Sequence, residues 1–150
     1  TSQTGFTRRY AEMLAQKTGL PACELGGPAP ARGTGVLYLG WLRAGGVQGL
    51  AKARRRWDVK GVCAVGMSPE PNGKVLGDPV LPAFYLRGGY APDRLTGPYK
   101  WAMSAMARMV TQNPPKDDQE RAVQDAFRQG GDWVDEAYLD PVLDWLSRQG

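Results

Sequence analysis

Histidine is absent from the sequence. Its absence excludes Ser-His-Asp and Cys-His catalysis and any metal site built on imidazole. The two cysteines are too few for a four-cysteine zinc site or a disulfide framework. No apolar run approaches the roughly 20 residues that carry a helix across a bilayer, and no secretory signal pattern is present. These absences point to the cytoplasm, with Cys23 and Cys63, both set in apolar stretches, expected as reduced buried thiols. A strong charge of one sign is lacking too. The 19 Lys and Arg are interspersed with 15 Asp and Glu, so the net charge of +4 favours an anionic partner only mildly. Glycine (20) and proline (12) are what the chain has in excess, which implies many tight turns. At 150 residues the expectation is one domain, 1–150, large enough to bury a core without staples.

Apolar residues at Phe6, Tyr10, Met13 and Leu14 share one helical face, and Gly19 and Pro21 end that helix. Ala22–Leu25 reads as a short strand. Val36–Leu39, Val62–Val65 and Ala83–Leu86 are continuous apolar runs, the mark of parallel strands buried on both faces. Val47–Trp57 reads as a basic helix between them. Tyr99, Ala102, Met103, Met106, Met109 and Val110 form a helical stripe that Asn113-Pro114-Pro115 stops. Asp117 and Asp118 open a further helix that Gly130 closes. Asp140 and Pro141 suit the start of the last one, which the pattern also allows to begin near Asp135. Buried strands alternating with helices predict an α/β layer fold with a mainly parallel sheet. The Pro/Gly-rich stretch Ser68–Pro82 must hold a crossover yet shows no helical period.

Four segments carry chemistry. Thr1-Ser2-Gln3-Thr4-Gly5-Phe6-Thr7 puts four hydroxyls and a glycine just ahead of a helix, where unsatisfied N–H groups can hold a phosphate; the bland alternative is an ordinary cap. Gly40-Trp41-Leu42-Arg43-Ala44-Gly45-Gly46, Gly66-Met67-Ser68-Pro69 and Arg87-Gly88-Gly89-Tyr90 each follow a buried strand, at the edge where open α/β sheets bind ligands. Glycine permits close backbone approach, and Trp, Met and Tyr offer stacking surface to a flat aromatic ligand. Read blandly, they are tight turns.

Ser2, Thr4, Gly5 and Thr7 match the Thr/Ser-x-Thr-Gly-x-Thr pattern of the flavodoxin phosphate loop, which the segment resembles. With Gly40–Gly45, Ala64–Pro69, Phe84–Tyr90 and the Met-rich helix that follows, nearly the whole chain is similar to the flavodoxin-domain branch that includes menaquinone-dependent protoporphyrinogen oxidase. The resemblance implies a flavodoxin-like, doubly wound, five-stranded parallel sheet with helices on both faces, its first strand lying before Thr1. It also implies FMN. Ser2, Gln3, Thr4, Gly5, Phe6 and Thr7 would hold the phosphate. Gly40, Trp41, Leu42, Arg43, Ala44 and Gly45, with Gly66, Met67, Ser68, Arg87, Gly88, Gly89 and Tyr90, would hold the isoalloxazine.

An FMN-dependent oxidoreductase working between an organic substrate (protoporphyrinogen is the example in the family) and a quinone-like acceptor is then the leading expectation. A flavodoxin-type electron-transfer protein, with a redox partner protein, is the alternative. Charge separates them. The flavin loops carry Arg43 and Arg87 and no acid except Glu70, and a nearby cation favours the reduced flavin anion. Lys52, Arg54, Arg55 and Arg56 lack the aromatic interleaving of a nucleic-acid surface and read as a solvated face. The Met stripe of 97–110 is expected to pack as core. Its rim of Tyr99, Lys100, Trp101 and Arg108 also suits a membrane surface or a hydrophobic substrate.

Overall fold

Uninterrupted apolar runs are the mark of parallel strands with both faces covered. The computed structural model describes residues 4–43, 46–69 and 80–149; the side chain of Tyr99 lies outside the description. The elements are α1 (Phe6–Thr18), β1 (Gly35–Arg43), β2 (Gly46–Val47), α2 (Leu50–Arg56), β3 (Asp58–Gly66), β4 (Ala83–Arg87), β5 (Gly89–Tyr90), α3 (Gly97–Thr111), α4 (Asp118–Gln129), β6 (Gly131–Asp132) and α5 (Asp140–Gln149). The chain divides into two compact units, Thr1–Gly88 with Val134–Gly150, and Gly89–Trp133.

The first unit is α/β, around a mixed four-stranded sheet of order β2-β1-β3-β4. β1, β3 and β4 run parallel, and the short β2 folds back antiparallel on β1. β3 is central, and Val62, Cys63, Ala64 and Val65 are all buried. Successive side chains point to opposite faces. On one face Ala53 of α2 and Trp57 pack with Tyr38, Val59 and Val62. The indole N–H of Trp57 donates to the carbonyl of Pro30 at 3.2 Å, which ties down the loop ahead of β1. On the other face Trp145 of α5 lies over Gly61 and meets Phe84 with ring centroids 5.8 Å apart. Phe6, Tyr10 and Leu14 of α1 are buried, as are Leu139 and Val142.

In the second unit β5 and β6 form an antiparallel pair, and the rings of Tyr90 and Phe127 meet at 5.5 Å. α3 packs against α4. Gln124 is fully buried and donates to the carbonyl of Asn113 at 2.8 Å.

Several expectations need correction. Ala22–Leu25 forms no strand. Pro21 and Gly26 confine it to four residues, Glu24 turns outward to pair with Arg8, and only Leu25 reaches the core. Cys23 is therefore exposed; Cys63 is buried as expected. The basic helix begins at Leu50, because Gly46 and Val47 pair with β1 instead. The Met stripe divides. Met103 and Val110 are half-buried, while Met106 and Met109 face solvent. The last helical stretch opens at Asp135, whose carboxylate accepts from the N–H of Ala137 and caps a 3-10 turn, Glu136–Leu139, that leads into α5. The strand expected before Thr1 and the centre of the Ser68–Pro82 crossover lie outside the described residues.

Candidate functional site

The carboxyl edge of the parallel sheet and the amino end of α1 meet in the first unit. Gly88 shows how closely. A Cβ on Gly88 would stand 2.7 Å from Val65 Cγ1 and 3.2 Å from Phe6 Cβ. Its N–H donates to the carbonyl of Gly66 at 2.7 Å. The first residue of α1, the end of β3 and the end of β4 therefore share one spot. Only glycine fits there, because any side chain would displace backbone or buried apolar atoms.

α1 starts without a side-chain cap. Its N-cap residue is Gly5 at φ 96°, a left-handed conformation that β-carbons disfavour, and its first turn holds no acid. Thr7 is buried within that turn and Thr4 is half-buried just before it. The first N–H groups of a helix carry partial positive charge. Hydroxyls beside them make an environment in which an anion is favoured without lysine or arginine.

Two tyrosines lock the strand-end loops. Tyr85 of β4 donates its hydroxyl to the carbonyl of Ser68 at 2.6 Å. Arg87 donates through Nε to the carbonyl of Met67 at 3.3 Å. Together they fix the loop that leaves β3. Tyr10 of α1 is fully buried; its hydroxyl donates to the carbonyl of Arg87 and accepts from the N–H of Asp135 at 3.2 Å. Burial pushes the Tyr10 hydroxyl above its ordinary pKa and that of Tyr85 up to about 12, so both stay protonated donors across the physiological range. By sequence pattern alone Tyr10 is part of an apolar stripe and Tyr85 part of a strand. The signal was there: a tyrosine in a buried run must find a partner for its hydroxyl.

The structure thus gathers Thr4, Gly5, Phe6, Thr7, Gly66, Met67, Ser68, Arg87 and Gly88 around one sheet edge. Gly40, Trp41, Leu42 and Arg43 correct the expectation of a loop, since β1 runs through them. Gly40 explains the extension. A Cβ there would lie 2.6 Å from Val47 Cγ1, so glycine lets β2 fold over the strand, and Tyr38 donates to the carbonyl of Gln48 at 2.6 Å behind it. Arg43 sits exposed at the hairpin end, paired in register with Gly46. Gly89 and Tyr90 form β5 of the second unit. Ser2, Gln3, Ala44 and Gly45 lie outside the described residues.

Among the described residues no group of His, Cys, Asp or Glu is placed to hold a metal ion, and no helix is long and apolar enough to cross a membrane. No protein-family model matches the chain, and neither curated proteins nor solved structures include a match.

Proposed function

We propose that the chain binds FMN at this edge and acts as an FMN-dependent oxidoreductase, moving electrons between an organic substrate and a quinone-like acceptor. The observation that carries the reading is the tight meeting of the α1 amino end with the ends of β3 and β4 at Gly88. A phosphate belongs at the helix start and a flat ring at the strand ends. The residues fit such a group. Gly5, Thr4 and Thr7 offer an uncapped, acid-free helix start, with Ser2 and Gln3 ahead of it in sequence. Met67, Ser68 and Arg87 stand on a loop held by two hydrogen bonds.

In the proposed fold, β1, β3 and β4 stand as the third, fourth and fifth strands of a flavodoxin-like sheet of order 2-1-3-4-5. Their neighbour order and parallel sense support that assignment.

FMN supplies hydride and single-electron chemistry when bound. The chain's own part is positioning and charge. Arg87 is half-buried beside Met67, where a cation favours negative charge on a reduced ring. At an effective dielectric near 20 this is worth about 1 kcal/mol or more, roughly 20 mV for a two-electron couple. Arg43 adds a second cation at the β1 hairpin. A raised potential suits oxidation of an organic substrate better than low-potential electron delivery.

The test is titration of the protein with FMN and with riboflavin. FMN should bind more tightly, and Thr4→Val should narrow the difference by roughly 10- to 100-fold, the worth of a hydrogen bond to a charged group. A redox titration of the loaded protein should then show a lower potential in Arg87→Ala than in wild type. Equal affinity for FMN and riboflavin ends the phosphate assignment. A potential indifferent to Arg87 ends the oxidoreductase argument built on charge.

A further inference from the structure

α3 exposes an apolar face that its own unit does not cover. Met103, Ala107 and Val110 are half-buried along one side of the helix. Trp101, Ala102, Ala105, Met106 and Met109 are exposed along the other, with Trp101 77%, Met109 74% and Met106 51% accessible. At 100° per residue these five fall within less than half of the circumference. Large exposed apolar residues are ordinary when scattered; collected on one helix face they mark a contact surface.

The segment that carries this face is basic, with acids only beyond its ends, at Asp93, Asp117 and Asp118. Residues 94–116 contain Arg94, Lys100, Arg108 and Lys116 and no acid at all. The remaining 15 Lys and Arg balance the 15 Asp and Glu elsewhere, so the chain's net charge of +4 equals the charge of this one segment. Lys100, Arg108 and Lys116 are exposed. Arg108 lies one position from Met109 and seven from Trp101, beside the apolar face, whereas Lys100 lies nearly opposite its centre.

We propose that α3 docks in the plane of an anionic lipid surface, with Trp101, Met106 and Met109 dipping into the acyl boundary and Arg108 and Lys116 at the headgroups. A bilayer suits this surface better than an acidic protein. The helix is convex and presents flexible Met and an amphipathic Trp ring, which adapt to lipid, and the long basic side chains can reach the headgroups while their stems cover apolar surface. Anionic lipid attracts each nearby cation with an effect of about fivefold in affinity. This inference is independent of the flavin reading, and its failure leaves that reading untouched.

The experiment is sedimentation of the full chain with vesicles of phosphatidylcholine alone or with one-quarter phosphatidylglycerol, at low and high salt. The protein should pellet with the anionic vesicles and not with the neutral ones, and salt should release it. Trp101→Ser with Met109→Ser should abolish pelleting. Arg108→Gln should weaken it about fivefold, and Lys100→Gln, on the far side of the helix, much less. All four side chains are exposed, so circular dichroism should be unchanged. A second measurement keeps the fold intact throughout: brominated lipid should quench the tryptophan emission of wild type, and Trp101→Phe should remove the quenching while pelleting persists. Three outcomes overturn the proposal: no pelleting with anionic vesicles, pelleting that the Trp101→Ser, Met109→Ser variant retains, or a self-associated form that this variant dissolves in place of vesicle binding.

Discussion

Tyr85 shows how a single buried hydroxyl links stability to site geometry. Its bond to the carbonyl of Ser68 holds the loop after β3, and burial pushes its pKa from 10.0 up to about 12. The folded chain therefore keeps the proton after the unfolded chain has lost it. The contribution is fully present below pH 10 and is lost as pH rises toward 12. Tyr85→Phe should cost about 1 kcal/mol at pH 8 through the lost hydrogen bond. Urea unfolding should show that deficit shrinking at pH 11; an equal deficit at both values would contradict the linkage. Cys63 has the same physics without a role in the site: its thiol, pushed up to about 12 by burial, is inert packing. The composition alone could not separate it from Cys23. Both sit in apolar stretches, but only Cys63 lies on a strand with neighbours on both sides.

α4 follows from its sequence most directly. Asp117 in extended conformation accepts from the N–H of Glu120 at 2.7 Å, and the carboxylate of Glu120 accepts from the N–H of Lys116 at 3.0 Å. The Asp117 bond satisfies an N–H that the helix cannot pair internally, and the Glu120 bond ties the residue ahead of the cap to the first turn. Asp117→Ala should destabilise the chain by about 1 kcal/mol and Asp117→Asn by much less; a denaturation series in which the Ala variant matches wild type would remove the cap from the account. The α1 end points were equally legible, since Gly19 closes the helix in a left-handed conformation at φ 74°. Ala22–Leu25 was not legible. Its residues permit a strand, but strand formation needs a neighbour to accept its hydrogen bonds, and a local pattern carries no information about one.

Over the whole molecule, burial is uneven. Among the described residues the sheet strand β3 holds five consecutive buried residues, Gly61–Val65, of which Val62–Val65 pair on both sides, while α3 has none buried. Amide exchange should therefore be slowest in Val62–Val65 and much faster in α3, since local opening follows buried apolar contact. Exchange as slow in α3 as in β3 would show that something covers the helix. By itself the sequence determined where helices form and the three parallel strands. Periodicity and capping are local properties, and runs that are apolar on both sides call for a strand covered on both faces. Only the tertiary structure decided which residues share the sheet's carboxyl edge. The contact of Phe6 with Gly88 joins residues 82 positions apart, the bond of Tyr10 to Arg87 spans 77, and β1 runs past Gly40 because Val47 needs the space above it. Such contacts depend on volume and on hydrogen-bond partners contributed by distant segments. The pattern of Met106 and Met109 is the same for a core helix and for a surface one; whether another layer covers them is settled by packing, not by spacing.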